Sequence, residues 1–343
     1  MKAITIDDYG LDHVALRDVP DPEPGPHEVL VRVEAASLNH LDLWTLRGTV
    51  GIEHHWPHVL GADGAGEIEA VGPDVPGGIK AGTPVFINPA HSCGACEFCR
   101  AGEQSVCARF SMLGEHLPGT MAEKVVVSER NVYPRPAHLT APETAALGVT
   151  FITAYRMLFN RGRLKPGEWV LVTGIGGGLA QSLLQLARPV AGKVFVTSSS
   201  KTKIDRALEL GADEGINYAE EDVGKGVRAL TAKRGVDLVV DSAGGESLST
   251  ALRAVRKGGR IVVAGATAGA KSEIDVRRLF WNQLEIIGST MGSDADVSEM
   301  LRTVAATELR PLIERTYPLA EGAEALRALD AGEHFGKLVV EIS

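Results

Sequence analysis

The chain has 343 residues, 44% hydrophobic and 23% charged, an ordinary globular composition with length enough for two domains that each bury a core. Its 44 acidic and 35 basic residues, a net charge of −9, are scattered without a lysine or arginine tract, which argues against a nucleic-acid surface. No stretch approaches the roughly 18 consecutive apolar residues of a membrane helix, and MKAITIDDYG lacks the apolar region of a signal peptide, so a soluble, cytoplasmic protein without membrane partners is expected.

The elements follow in chain order. Glu28 to Glu34 alternates, Gly66 to Val71 alternates around glycines, and Glu123 to Val127 ends an extended run, with proline and glycine crowded into Pro20 to Pro26 and Val71 to Gly78. Short strands with such punctuation predict a β-rich, barrel-like domain with few helices. From about Ala145 the pattern changes to apolar strands at Trp169 to Thr173, Lys193 to Thr197, Val236 to Asp241, Arg260 to Ala264 and Leu284 to Gly288. Between them Leu179 to Ala187, Ile204 to Leu210 and Leu248 to Val255 show helical apolar spacing, and this alternation predicts a doubly wound parallel sheet. After about Gly292 there remain two helical pieces, Val297 to Ala306 and Leu319 to Leu329, and a last strand, Lys337 to Ile342. That tail is too small to stand alone, so the expected domains are 1–150 with 293–343, and 151–292.

The strand Val170 to Thr173 runs into Gly174-Ile175-Gly176-Gly177-Gly178-Leu179-Ala180 and straight on into a helix. Glycines also serve turns of positive φ, but at a strand-to-helix junction they let a diphosphate approach backbone N–H groups at the positive end of the helix. Gly174, Gly176, Gly177, Gly178 and Leu179 are therefore candidate cofactor contacts. The next strand ends Thr197-Ser198-Ser199-Ser200 and lacks the acid that NAD sites place about twenty residues after the turn. Ser198 and Ser199 with Lys201 and Lys203 offer donors and charge to a 2′-phosphate, favouring NADP(H) over NAD(H); the duller reading is a solvated helix start. Tyr218 joins the cofactor set, as do Ala264, Gly265, Ala266, Ser289 and Thr290 at the ends of later strands, where small residues suit tight packing equally well.

All four cysteines lie in HSCGACEFCRAGEQSVC, spaced Cys93-x2-Cys96-x2-Cys99-x7-Cys107. The spacing predicts one tetrahedral Zn²⁺ with four thiolates and no open position, hence a structural metal. An iron–sulfur cluster is the rival, but its familiar run ending in Cys-Pro is missing.

Together the glycine turn, the cysteine lobe and the domain order resemble the medium-chain dehydrogenase/reductase family, which includes zinc alcohol dehydrogenases and quinone oxidoreductases. The likeness extends through Ser37-Leu38-Asn39-His40-Leu41-Asp42, Val59 to Gly66, Gly119 to Glu123, Thr150 to Tyr155 and Gly336-Lys337-Leu338-Val339. It implies an α/β protein with a Rossmann sheet and a GroES-like, barrel-type catalytic domain, and an active site between them. It also implies that Thr153 lies near the nicotinamide and that Lys337 reaches the pyrophosphate, although a surface lysine is the default expectation. The positions matching the catalytic-zinc ligands of the alcohol dehydrogenases are Asn39, Ala62 and Val149, so no catalytic zinc is expected there.

Asn39 and Asp42 look like the Asn and Asp of the quinone oxidoreductase segment. Asn39 is the candidate for orienting substrate through its side-chain N–H, or else a turn-former, and Asp42 orders it or caps the helix. Thr153 has back-bonding as its plainer role, and Tyr155 fits a core better than an acid. His40, His54, His55 and His58 with Asp63 form a less favoured, unorthodox metal site. The expected protein is an NADPH-dependent reductase of quinones, enones or activated carbonyls, since such acceptors spread the developing charge that a catalytic zinc would otherwise stabilise. Its rivals are an alcohol dehydrogenase or ketone reductase, and a non-catalytic NADPH-binding or sensing protein. A homodimer or homotetramer is expected.

Overall fold

Alternating valines make Glu28–Ser37 the strand around which the first unit is built. The computed structural model describes residues 1–48 and 51–342, and its chain divides into two compact units, Met1–Thr150 with Ser293–Ser343, and Phe151–Gly292. Residues two apart share one face of a strand, so Val29, Val31 and Val33 pack together with Ile68, Val85, Ile87, Val125 and Val127. The strand pairs antiparallel with Asp63–Val71, with Lys124–Ser128 and, towards its end, with Lys337–Glu341. Val132–Pro134 and Pro84–Ile87 extend the sheet on one side and Ile313–Pro318 closes the other, pairing parallel with Lys337–Glu341.

The register positions the chemistry. Ser37 lies opposite Asp63 on one neighbour and Val339 on the other. Asn39 and Lys337, each two residues beyond such a pair, are thereby brought to the same end of three adjacent strands. Gly66 keeps the pairing tight, because a β-carbon there would sit 2.1 Å from the Arg32 carbonyl oxygen. The helix Gly322–Ala331 covers the same unit, its Leu326 and Leu329 packing with Ile4, Leu38, Leu43 and Val340.

In the second unit six parallel strands run in the order Glu214–Asn217, Lys193–Ser198, Trp169–Val172, Val236–Asp241, Val255–Val263, Glu285–Gly288. Chain order reverses beside Trp169–Val172, the switch point at which open α/β sheets bind ligands. Val170, Leu171, Val172, Val194, Phe195, Val196 and Val236 to Val240 are buried because helices cover both faces, which is why these strands read as unbroken apolar runs. No helix among the described residues is long and apolar enough to cross a membrane.

Candidate functional site

The glycine turn joins the strand Trp169–Val172 to the helix Gly178–Ala187, whose first turn has Gly177 as its N-cap and no side-chain cap. Its backbone N–H groups are thus left for a ligand. Gly174 holds φ of 66°, and a β-carbon on Gly174 or Gly177 would meet nothing within 4 Å, so the turn faces open space. Beneath it the buried Asp241 accepts from Thr173 Oγ1 at 2.7 Å, Ser247 Oγ at 2.9 Å and the Ala243 N–H at 3.1 Å, tying two strand ends together. A cavity of about 580 Å³ opens there, lined by Thr173, Gly174, Thr197, Tyr218 and Ala243, with Glu220, Glu221, Asp222 and Glu246 on its walls. These features fit a dinucleotide.

Ser198 is buried, Ser199 exposed, and the Ser200 hydroxyl accepts the Lys203 N–H at 3.3 Å. The Lys203 side chain lies over the turn, its Nζ 3.3 Å from the place of a Gly176 β-carbon. Gly265 is needed for packing, since its β-carbon would lie 2.2 Å from the Ser242 carbonyl oxygen. Ala264 donates its N–H to the Asp241 carbonyl and Ser289 to that of Val263, which hold these strand ends level with the turn. Ala266 follows in the same loop, and Thr290 is exposed. Thr153 is buried and does not back-bond; its hydroxyl donates to Met291 Sδ at 3.7 Å.

In the first unit Lys337 is not the surface lysine of the default expectation. Its ammonium is buried within the unit, donating to the Leu38 carbonyl at 2.7 Å, Asn39 Oδ1 at 2.7 Å and Asp63 Oδ2 at 3.2 Å. The reason is Asp63, a carboxylate at 0% exposure that requires a counter-charge. Burial pulls the Lys337 ammonium below the ordinary lysine range, with Asp63 opposing. The other Asp63 oxygen accepts the Val149 N–H at 2.7 Å, and Gly148 makes room, as its β-carbon would fall 2.0 Å from that oxygen. Two of the three residues that the sequence likeness matched to zinc-ligand positions, Asn39 and Val149, are therefore bound into one ionic cluster.

Asn39 is buried, with Nδ2 donating to the Ser37 carbonyl at 3.3 Å. Asp42 Oδ2 accepts the Asn39 backbone N–H at 2.7 Å and so caps the helix His40–Arg47. Burial, aided by the charge of Asp63, pushes the Asp42 carboxyl up to about 7.

The four thiols converge in a loop pinned by the pairing of Ala90–His91 with Ser111–Met112. Sulfur separations of 3.5, 3.9 and 4.0 Å link Cys96 to Cys99, Cys96 to Cys107 and Cys93 to Cys99, and all four sulfurs lie within 4.8 Å of one another. Sulfurs about 2.3 Å from a tetrahedral zinc lie about 3.8 Å apart, so the set fits the ion. Backbone N–H groups of Ala95 and Cys96 hold the Cys93 thiol down to about 5, the thiolate form a metal requires.

Residues 25–137 match the model of the alcohol dehydrogenase GroES-like domain, and residues 178–306 that of the zinc-binding dehydrogenase. An NAD-dependent alcohol dehydrogenase of Saccharolobus solfataricus is 31% identical, covering 99% of each chain. The chain belongs to the medium-chain dehydrogenase/reductase family. A quinone oxidoreductase of Lama guanicoe is 30% identical over 95% of this chain and 92% of its own. A crystal structure of an NAD-dependent alcohol dehydrogenase superposes with a TM-score of 0.95 and 42% identity over all of both chains. As a medium-chain dehydrogenase/reductase, this protein is an NAD(P)-dependent oxidoreductase with a GroES-like domain and a Rossmann sheet.

Within this medium-chain dehydrogenase/reductase the histidines beside Asp63 in sequence are otherwise engaged. His58 Nε2 pairs with the Gly114 carbonyl at 3.1 Å and His54 Nε2 with that of Glu115 at 2.8 Å, so both rings carry their proton on Nε2. Burial draws His58 down to about 4, which keeps it neutral. His40 and His55 are exposed, and Tyr155 packs against Phe159. Sequence reasoning missed Asp63 and Asp241 as organising carboxylates. The available signal was an acid at the edge of an otherwise apolar or glycine-rich strand, as in LGADGAG and LVVDSAGG.

Proposed function

We propose that this enzyme uses NADPH to reduce quinones, enones or activated carbonyl compounds, without a catalytic zinc, and that one structural Zn²⁺ is held by Cys93, Cys96, Cys99 and Cys107. The observation that carries the reading is the residue set Asn39, Ala62 and Val149, which offers no thiolate or imidazole where the alcohol dehydrogenases of the family bind their catalytic ion. Asn39 Oδ1 is taken up by Lys337 besides.

The continuous unit, 151–292, is assigned to the cofactor, with Gly176 to Leu179 on the diphosphate, Ser198, Ser199 and Lys203 on a 2′-phosphate, and Thr153, Ala264 to Ala266, Ser289 and Thr290 towards the nicotinamide. The reduced cofactor supplies a hydride when bound. Asn39 Nδ2 has a hydrogen left to donate to the acceptor oxygen, which stabilises negative charge as it develops on an enolate or quinol oxygen. Asp42 holds the Asn39 backbone in place. A homo-oligomer is supported by the exposed Val276, Phe280 and Trp281 near the edge strand Glu285–Gly288.

The test is product analysis with an enone such as 2-cyclohexenone and NADPH. Reduction of the C=C bond is expected. Formation of the allylic alcohol instead would place the enzyme with the alcohol dehydrogenases, and tight NADPH binding without turnover on any acceptor would make it a binding protein.

A further inference from the structure

An ammonium carries hydrogen-bond donors only. The Asn39 side-chain atom 2.7 Å from Lys337 Nζ must therefore be the carbonyl oxygen, and the amide nitrogen must face the other way. The second contact agrees, since the opposite amide atom lies 3.3 Å from the Ser37 carbonyl, which can only accept. An isolated asparagine in a turn has two flip states, and this one has a single state imposed by charge. The ammonium is itself fixed by the Leu38 carbonyl and the Asp63 carboxylate, and Asp63 in turn by the Val149 N–H. No part of the chain is rotamerically free, because Lys337 and Asp63 are both buried.

Resting on the reading of Asn39 as the donor to the acceptor oxygen, we infer that Lys337 is a positioning residue that works through Asn39, locking its carboxamide with the N–H side outward. Lys337 touches neither cofactor nor substrate in this role. It substitutes a fixed internal cation, held by the Leu38 carbonyl and Asp63 and directed at the Asn39 carbonyl dipole, for the direct electrophile that a metal would provide. The Asp63–Lys337 pair is thus more than a stabilising contact, and its removal lowers the rate of hydride transfer even where the fold survives.

A double-mutant cycle on the purified enzyme, with an enone and NADPH as substrates, decides this. Asn39→Ala and Lys337→Met are each expected to lower kcat roughly 10- to 100-fold, at or below the lower limit of the loss typical of removing one oxyanion donor. KM for NADPH should hardly change. In the Asn39→Ala background Lys337→Met should cost less than about 2-fold more, because its effect has nothing left to act through. If Lys337→Met does not fold, the same cycle is run with Lys337→Gln, whose neutral carboxamide can still donate to Asp63 but supplies no cation to Asn39. Losses that multiply, or a folded Lys337 variant with wild-type kcat, overturn the inference while leaving the function intact. An unimpaired Asn39→Ala variant, or a wild-type protein that does not reduce the enone, overturns the underlying reading first.

Discussion

On the proposed reading, cofactor choice turns on Lys203. Its Cδ and Nζ lie 2.9 and 3.3 Å from where a Gly176 β-carbon would be, so the ammonium overhangs the glycine turn from the start of the helix Lys201–Glu209. A charge-assisted hydrogen bond from it to a 2′-phosphate contributes about 1.5–3 kcal/mol, or roughly 10- to 150-fold in affinity. Against this work Glu220, Glu221, Asp222 and Glu246 on the cavity wall, which repel added negative charge, so the lower end of that range is expected. Lys203→Ala should weaken NADPH about 10-fold and NADH, which lacks the 2′-phosphate, less than about 3-fold. Calorimetric titrations of both nucleotides at one fixed ionic strength measure the ratio, since salt screens a partly exposed pair. Equal losses for the two nucleotides would place Lys203 on the diphosphate, and no loss for either would remove it from the site; each refutes the specificity argument.

Gly177→Asp puts a carboxylate at the mouth of the helix Gly178–Ala187 and should abolish binding of both nucleotides, as read by quenching of tryptophan fluorescence; retained affinity would move the diphosphate elsewhere. Cys99→Ser should lower bound zinc and the melting temperature while turnover per folded molecule stays near wild type, and an inactive but equally stable variant would contradict a purely structural metal. Asp42 has a folded pKa raised from 3.8 to about 7, so its protonated form is the one the fold favours. The stability this contributes is complete below about pH 4 and disappears as pH rises through about 7, at most roughly 4 kcal/mol for one buried group. Asp42→Asn, neutral throughout, should therefore gain on wild type in urea melts between those limits; parallel profiles would show that Asp42 ionises normally.

The sequence was most legible where the cause is local. Trp169–Val172 and Val236–Asp241 are buried on both faces and read as apolar runs, whereas Glu214–Asn217, an edge strand spelled Glu-Gly-Ile-Asn, has no such signature. Pro84–Ile87 and Ile313–Pro318 were likewise passed over, being short or rich in polar side chains. Four thiols in one loop announce their own geometry, and a glycine turn between a strand and a helix announces its own. Lys337 could not be read in this way. Its partner Asp63 is 274 positions away, and only the register through Ser37 brings the two strands together.

That separation has a consequence for how the molecule assembles. The cysteine loop spans residues 93 to 107, and closing so short a loop costs little chain entropy. The Asp63–Lys337 contact closes a loop of 274 positions that contains the whole second unit, so its closure entropy is larger. The two therefore differ in kind: the thiol cluster draws on one short local loop, and the buried ion pair on the assembly of strands that are remote in the chain.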